Sequence, residues 1–242
     1  MNMGFYSAAT SAYYQQQRLN VVANNSANIN TVAYKAQNPT FSSLLYSNFN
    51  GVDGPLARGS GSRMEKADTD FSSGALQETL NPMDYALEGD GFFALRDMET
   101  GEISYTRAGN FQMAQMQNGE YFVTDHSGRR YVLDQMGQPI VAERNESGVI
   151  DPNLKLPLGV FTFRQKNNMQ HLGDNRFLPV EKNGQPIAAE NVTVMQGYLE
   201  GSNTNITKEF TKVIEAQRAF SYALTMVRTS DEVETTINGL RG

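Results

Sequence analysis

The chain has 242 residues, of which 39% are hydrophobic and 19% are charged, and its formal net charge is -6. This composition is typical of one or two globular domains with an apolar core, and the absence of a basic block argues against a nucleic-acid partner. Cysteine is absent, which excludes disulfides, a thiol nucleophile and thiolate metal sites.

The N-terminal residues are rich in Tyr, Gln, Ala and Ser and lack the basic segment and apolar run of a cleaved signal peptide. No stretch of the sequence approaches the roughly 18 consecutive apolar residues of a membrane span. Taken alone, these two features indicate a cytoplasmic protein.

The first predicted element is a helix over residues 3–28, which neither Gly nor Pro interrupts after residue 4. Positions three and four apart form a heptad stripe. Its members are Phe5, Ala8, Ala12, Gln15, Leu19, Val22 and Ser26. The simplest interpretation of this stripe is an amphipathic helix packed on a globular core.

An asparagine-rich stretch follows, with the sequence Ala-Asn-Asn-Ser-Ala-Asn-Ile-Asn-Thr-Val-Ala-Tyr-Lys at residues 23–35. Four asparagines within seven residues favour caps and turns, because their side chains hydrogen-bond to nearby backbone groups. We expect the first helix to end here, with the amides bonding to carbonyls at the helix end or to a neighbouring molecule. A solvated turn is the alternative.

The next segment, residues 36–63, is predicted to be an extended linker. Within it, Gly51 to Ser62 is rich in Gly and Ser and is not expected to form regular structure by itself. This stretch either becomes ordered against neighbouring molecules or forms a mobile surface loop.

The middle of the chain, residues 64–202, is predicted to be a β-rich domain. Short β-branched and aromatic runs begin at Tyr121, Tyr131, Val160 and Val192. Asn-Gly and Ser-Gly pairs between such runs indicate tight turns. No strands alternate with helices, so the sequence favours an antiparallel barrel or sandwich over a parallel sheet.

A second helix is predicted from about residue 203 to Gly239, with N-cap candidates at residues 202–205. It would be roughly 45 Å long. Its predicted stripe consists of Ile206, Phe210, Val213, Gln217, Phe220, Leu224 and Val227. A single seam between two such helices, with glutamines on or beside it, would be weak, which indicates assembly with other copies.

The predicted fold class is therefore α+β, with long terminal helices that pair as a coiled coil and a central antiparallel β domain. Residues 1–35 and 203–242 would form one helical domain. Because polar seam residues such as Gln15 weaken a lone pair, we expect the termini to be labile in the monomer and helical in the assembly.

The sequence offers little support for catalysis. His126 and His171, the only histidines, fall in predicted loops, where surface residues are more common than a metal or catalytic pair. Asp84, Glu88 and Asp90 lie beside a turn and are interpreted as solvated carboxylates. No catalytic, cofactor or metal site is predicted, and the alternative from another class is a secreted β-rich hydrolase or adhesin.

The asparagine-rich stretch resembles the signature of the bacterial flagellar rod and hook family, in which a similar run follows a Gln-rich first helix. Four further blocks, in the same order, are similar to the family. The first block is Gly-Ala-Leu-Gln-Glu-Thr-Leu-Asn-Pro-Met-Asp-Tyr-Ala-Leu-Glu-Gly-Asp-Gly-Phe-Phe at residues 74–93, and the second is Tyr-Thr-Arg-Ala-Gly-Asn-Phe at residues 105–111. The third is Gln-Gly-Tyr-Leu-Glu-Gly-Ser-Asn at residues 196–203, directly before the second helix. The fourth lies on that helix and has two parts, Ile-Glu-Ala-Gln-Arg-Ala-Phe at residues 214–220 and Thr-Ser-Asp-Glu-Val at residues 229–233. The resemblance is weakest between residues 112 and 194.

This resemblance implies a subunit of the basal-body rod that stacks helically into a hollow shaft transmitting torque from motor to hook and passing exported subunits. Terminal helices would form an inner coiled-coil layer and β domains an outer layer. The implied partners are other copies, neighbouring rod and hook subunits, the flagellar type III export machinery and ring proteins around the rod. Export without signal-peptide cleavage would place the chain in the basal body, reversing the cytoplasmic inference. The motifs favour the distal rod, with the proximal rod as the alternative.

The resemblance also implies which residues mediate assembly. On the N-terminal side they are Phe5, Leu19, Val22, Asn24, Asn25, Asn28, Asn30, Thr31, Tyr34 and Lys35. On the C-terminal helix they are Phe210, Val213, Ile214, Gln217, Arg218, Phe220, Leu224 and Val227. Two positions depart from the family signature: Ser26 replaces its usual Leu, and Ala33 replaces its usual Gly. If position 33 requires a positive φ, Ala33 is strained.

Overall fold

The computed structural model describes residues 3–43, 47–51, 54–58, 62–116, 119–142 and 155–240. Its two long helices are α1 (Met3–Ala27) and α2 (Ile206–Gly239). The strands are β1 (Gln37–Ser43), β2 (Ser47–Gly51), β3 (Gly54–Arg58), β4 (Ser62–Thr69), β5 (Leu76–Glu78), β6 (Tyr85–Glu88), β7 (Phe92–Asp97), β8 (Ile103–Thr106), β9 (Gln112–Gln115), β10 (Tyr121–Thr124), β11 (Arg130–Val132), β12 (Val160–Thr162), β13 (Gln170–Gly173), β14 (Arg176–Leu178), β15 (Ile187–Ala188), β16 (Thr193–Gln196) and β17 (Tyr198–Glu200). A 3₁₀ turn spans Glu181–Asn183.

The chain forms two compact units. The helical unit comprises residues Met1–Ala27, Gln37–Asp68 and Asn205–Gly242, and the β unit comprises residues Asn28–Ala36 and Thr69–Thr204. The chain therefore passes from one unit to the other directly after α1, inside the asparagine-rich stretch. The second half of that stretch belongs to the β unit, whereas the sequence grouped it with the helices.

The β unit is built on a nine-stranded sheet with the order β13-β14-β8-β7-β11-β10-β9. Strand β12 pairs with β7 and with β15. The registered pairs, such as Phe93 opposite Thr106 and Val123 opposite Met113, are antiparallel. Two smaller ladders join β16 to β6 and β17 to β5. The predicted α+β class with a mostly antiparallel β domain is confirmed.

The core of the β unit consists of two apolar clusters. One is centred on Phe93, Leu95 and Val123, and the other on Phe92 and Phe177. Several rings meet edge to face, as Phe93 and Phe111 do at 5.1 Å between ring centroids, which is a favoured aromatic geometry. The alternation of large apolar residues along short strands thus supplies a dense core for this unit.

The helical unit contains α1, α2 and strands β1 to β4, in which β1 pairs with β4 and β2 pairs with β3. The β2–β3 hairpin places Gly51 opposite Gly54. Residues 54–58 of the Gly-rich stretch are thus ordered by pairing with β2, since antiparallel pairing supplies hydrogen bonds that local propensity does not reveal. Residues 52, 53 and 59–61 of that stretch lie outside the described part of the chain.

Two expectations are wrong. His171 lies in strand β13, where its Nε2 is 2.6 Å from the Thr69 hydroxyl and its ring contacts Phe177. Asp84 is buried and accepts a hydrogen bond from the Asn81 amide at 3.2 Å, so it is not solvated. Of the helices described, none is both long and apolar enough to cross a membrane.

Candidate assembly site

The two helices pack against each other in opposite directions. Near one end, the Asn25 amide donates to Glu209 Oε2 at 3.1 Å, and further along Arg18 forms an ion pair with Glu215, also at 3.1 Å. Residue numbers thus rise along α1 as they fall along α2. The two terminal helices of one chain therefore pack side by side and run antiparallel. Their pairing as a coiled coil stays a prediction.

The seam between the helices is made of small and polar residues. Ala12, Val22 and Asn25 are buried on α1. On α2 the buried residues are Glu209, Ala216 and Ala223, which are spaced by seven. Small side chains let the helix backbones approach closely, and each of them buries little apolar area. Beside it, an open groove of about 510 Å³ is lined by Ser7, Ala8 and Ser11 of α1 and by Ala219, Tyr222, Ala223 and Met226 of α2.

The buried stripe on α2 differs from the predicted one. Phe210 is 58% exposed, and Gln217 and Leu224 are also exposed. Val213, Phe220 and Val227 are partly buried, as members shared by both stripes. The sequence pattern favoured the bulkier residues, whereas the antiparallel neighbour packs against alanines one position away. On α1, Val22 is buried, Leu19 is partly buried and Phe5 is exposed.

Two exposed apolar surfaces flank the seam on α2. Because successive residues of a helix are rotated by about 100°, these two surfaces lie on opposite sides of the seam. We call the first surface the proximal flank, formed by Ile206, Phe210, Ile214 and Leu224. We call the second surface the distal flank, formed by Tyr222, Met226, Val233, Ile237 and Leu240. Two such flanks on one helix can accept two neighbours.

Asn25 joins three elements of the helical unit. Its side chain is fully buried. It accepts a hydrogen bond from the backbone N–H of Gln37 and donates one to the backbone carbonyl of Gln37, both at 2.9 Å. It also donates a hydrogen bond to the Glu209 carboxylate. Glu209 in turn accepts from Lys212 Nζ at 2.7 Å. These contacts fix the end of α1 against β1 and the first turns of α2. The hydrogen bonds of the Asn25 side chain are thus formed within its own chain, without a neighbouring copy.

The other polar residues of the stretch lie in different environments. The Thr31 hydroxyl donates to Asn28 Oδ1 at 3.1 Å inside the turn that follows α1. Asn24 and Asn30 are exposed, Thr31 is partly buried, and Tyr34 is buried. The polar side chains of this stretch therefore differ in exposure, from the fully buried Asn25 to the exposed Asn24 and Asn30.

Lys35 ends the stretch in a buried ionic cluster of the β unit. Its ammonium donates to Glu200 Oε1 and to the Ser72 carbonyl, each at 2.6 Å. Arg107 Nε donates to Glu200 Oε2 at 2.8 Å, and its side chain also bonds to the Leu87 and Gly89 carbonyls. The Lys35, Arg107 and Glu200 side chains are almost entirely shielded from solvent. Burial lowers the pKa of Lys35, and the attraction of Glu200 only partly offsets this effect.

Residues 33–36 are held against residues 200–203. The Ala33 amide donates to the Glu200 carbonyl at 2.7 Å, and the Ala36 amide donates to Asn203 Oδ1 at 2.7 Å. Ala33 has a φ of 54° and is fully buried, so the position does require the left-handed backbone that favours Gly. The family block at residues 196–203 thus packs directly on the asparagine-rich stretch.

Sequence reasoning missed this ionic cluster. Arg107 and Glu200 lie within the two family blocks at 105–111 and 196–203, but charged residues are usually exposed, so nothing marked them as buried. One signal was available for Lys35: it is the only charged residue between Arg18 and Asp53. A single charge in a long neutral stretch is a candidate for a specific buried partner.

The β unit also contains a cleft of about 450 Å³. Its lining includes Asn28, Asn110, Asn175, His126 and Asp174. One carboxylate and one imidazole do not form the carboxylate pair of a glycosidase. Within the described residues, no group of three or more His, Asp or Glu side chains is arranged to hold a metal ion. The cleft therefore offers hydrogen-bonding groups.

Three protein-family models match the chain. The model for the C-terminal region of flagellar basal-body rod FlgEFG proteins matches residues 195–240. The model for the D1 domain of the flagellar hook proteins FlgE/F/G matches residues 86–144, and that for flagella basal body rod proteins matches residues 5–35. The three matches cover both helices and the first part of the nine-stranded sheet.

Curated relatives match along almost the whole chain. The flagellar basal-body rod protein FlgG of Bacillus subtilis is 29% identical over 258 residues, covering 96% of this chain and 97% of the relative. FlgF of Mesorhizobium japonicum is 30% identical and covers 98% of each chain. FlgG of Agrobacterium fabrum is 30% identical and covers 96% of each.

Proposed function

The chain belongs to the family of flagellar basal-body rod proteins and is a structural rod subunit, and we propose that its copies polymerise through their terminal helices into a hollow shaft. In this shaft the helices pair as coiled coils around a central channel that passes exported subunits. The β units form an outer layer and, with the helices, carry torque from motor to hook.

The observation that carries this proposal is the pair of exposed apolar flanks on α2. Phe210 and Ile214 are 58% and 51% exposed on one flank, and Tyr222 and Met226 are 72% and 62% exposed on the other. Large exposed apolar patches mark interaction surfaces in soluble proteins. A helix with one neighbour in its own chain and two further apolar faces is suited to a continuous layer of helices.

The seam inside one chain supports the same conclusion. Gln15 Oε1 and Ser230 Oγ are buried, and neither atom has a hydrogen-bond partner within the described residues. An unsatisfied buried polar atom costs about 1–3 kcal/mol. These two atoms therefore lower the stability of the lone helix pair.

The polymer proposal is tested by sedimentation of the wild type and the double variant Phe210→Ser/Ile214→Ser. Both side chains are more than half exposed, so the variant should keep the monomer's thermal stability and lose pelletable polymer. The matched control Thr211→Ser/Thr207→Ser, on the same helix, should polymerise like the wild type. Equal polymerisation of the Phe210 variant and the wild type would show that this flank is not an interface.

We further propose the distal part of the rod as the position of this subunit. The Gly-Asp-Gly-Phe-Phe and Ile-Glu-Ala-Gln-Arg-Ala blocks and the full-length similarity to proteins named FlgG support it. FlgF is similarly related, so the proximal rod is the second candidate. Basal bodies from cells lacking this gene should retain a short rod stub, and complete absence of a rod would indicate the proximal position.

Partners and location follow from the same proposal. The neighbours of the subunit are its own copies and other rod and hook subunits, and ring proteins around the rod would contact the outer layer. The chain would reach the basal body through the flagellar type III export machinery without signal-peptide cleavage. Because the family is structural, it supports a non-enzymatic role over the secreted hydrolase or adhesin alternative.

A further inference from the structure

The C-terminal end of α2 extends beyond the start of α1. Asn25 lies beside Glu209, and Arg18 lies beside Glu215. Each step toward the N-terminus of α1 is therefore matched by about one step toward the C-terminus of α2. Because both helices rise about 1.5 Å per residue, Met3 falls opposite about residue 230. Every residue from 231 to 240 is exposed. We call residues 231–240 the overhang.

The overhang combines an apolar stripe with acidic edges. Val233, Ile237 and Leu240 continue the distal flank and are 49%, 49% and 83% exposed. At about 100° per residue, Glu232 and Glu234 lie on opposite edges of this stripe. The last turn of α2 contains no basic residue, and carboxylates near a helix C-terminus interact unfavourably with its dipole. The overhang therefore suits a partner that is both apolar and basic.

The proximal flank has this chemistry. It presents Phe210 and Ile214, and two exposed arginines lie beside these residues. At about 100° per residue, Arg218 lies at the outer edge of the flank, and Arg228 lies in line with Phe210, one turn beyond Leu224. Neither arginine has an ion-pair partner among the described salt bridges. One chain thus carries two complementary surfaces at different places on the same helix.

We propose that the overhang of one copy docks on the proximal flank of α2 in a second copy, with Glu232 and Glu234 facing Arg218 and Arg228. The inference rests on the proposed polymerisation and specifies its partner surface. Since the two surfaces differ, the contact is heterologous and repeats from copy to copy without closing into a dimer. Charge complementarity fixes which apolar flanks meet, and like charges at such a contact are strongly disfavoured.

Two oppositely charged variants test the contact. The acidic variant is Arg218→Glu/Arg228→Glu, and the basic variant is Glu232→Lys/Glu234→Lys. Alone, each places like charges across every contact, so the critical concentration for polymerisation at low salt should rise at least about tenfold. In an equal mixture, the basic overhang of one variant can dock on the acidic flank of the other, and the two unaltered surfaces can also pair. Polymerisation should therefore return, and the polymer should contain both variants.

A control variant has the same net charge as the basic variant. Glu99→Lys/Glu102→Lys changes two exposed residues at the β7–β8 turn and should polymerise like the wild type. Circular dichroism of the monomers checks that α2 still forms. If loss of Arg228 reduces the helix content, Arg218→Glu alone should show the same behaviour to a smaller degree.

The outcomes are distinct. Impaired variants that recover on mixing support the proposed contact. The proposed contact is overturned if a charge variant polymerises like the wild type at low salt, or if the mixture of the two variants fails to polymerise. In either case, polymerisation of the wild type would still support the proposed function. A wild-type chain that stays monomeric under all conditions overturns the proposed function, and this inference with it.

Discussion

Lys35 and Glu200 form an ion pair of 2.6 Å whose side chains are both completely buried, although 165 positions separate them in the chain. Glu200 ends strand β17, five residues before the Asn205 cap of α2, and Lys35 ends the stretch that follows α1. The pair thus ties the segment leaving one terminal helix to the segment entering the other. Its energetics are open to direct measurement.

Glu200→Gln should destabilise the β unit by about 3–5 kcal/mol, because it leaves the Lys35 and Arg107 charges buried without a counter-charge. Denaturant unfolding followed by near-ultraviolet circular dichroism measures the change. Glu181→Gln, at an exposed position, is the matched control and should be nearly neutral. A loss under about 1 kcal/mol in the Glu200 variant would show that the cluster contributes little.

The pH dependence of stability should report on Lys35. Burial lowers its pKa below the ordinary value of 10.5, so the unfolded chain binds this proton more tightly than the folded chain. The Lys35 contribution therefore makes the free energy of unfolding rise with pH between its lowered folded pKa and about 10.5. The wild-type stability minus that of Lys35→Met should grow across this window in urea titrations. A difference that shrinks with rising pH would contradict this sign.

Ala33→Gly should cost less than an ordinary buried Ala→Gly change. Ala33 has a φ of 54°, which strains a residue with a Cβ by about 1–2 kcal/mol, so removing the methyl group relieves that strain. Ala36 is also buried, but its φ is not positive. Ala36→Gly should therefore destabilise by at least about 1 kcal/mol more than Ala33→Gly. Equal losses in thermal unfolding would remove the strain argument.

Asn25→Asp should loosen the helical unit. The new carboxylate would replace an amide that donates to the Gln37 carbonyl and to Glu209, and would lie about 3 Å from the Glu209 carboxylate. We expect a loss of about 2–4 kcal/mol at neutral pH, with partial recovery in acid. Protease sensitivity of α1 provides the measurement. Asn30→Asp, at an exposed residue, should leave it unchanged.

Much of the fold could be predicted from local patterns. The first helix was expected over residues 3–28 and spans Met3–Ala27. The second begins after the Asn205 cap, whose side chain accepts from the Lys208 amide at 3.1 Å. The run at Tyr121 forms β10, and the turn at Gly128 has a φ of 70°. Spacing, caps and turn residues are local properties, so the sequence shows them directly.

The remaining features depend on contacts between distant residues. A heptad pattern on α2 was evident, but the face that meets α1 was decided by Ala216 and Ala223, whose small size the pattern undervalues. Strand β3 forms from a Gly-rich segment because β2 pairs with it. The hydrogen-bond partners of Lys35, Ser72 and Glu200, lie 37 and 165 positions away, beyond any periodicity. The assembly roles of the terminal residues remain predictions.

In the proposed polymer, the terminal helices of many copies build a continuous helical layer. Electron cryomicroscopy of the purified protein after polymerisation tests it most directly. We predict hollow tubes in which α2 contacts α1 of its own chain and a neighbouring helix on each of its two flanks. A chain that remains monomeric at high concentration, or tubes in which Phe210 and Tyr222 face solvent, would contradict the account.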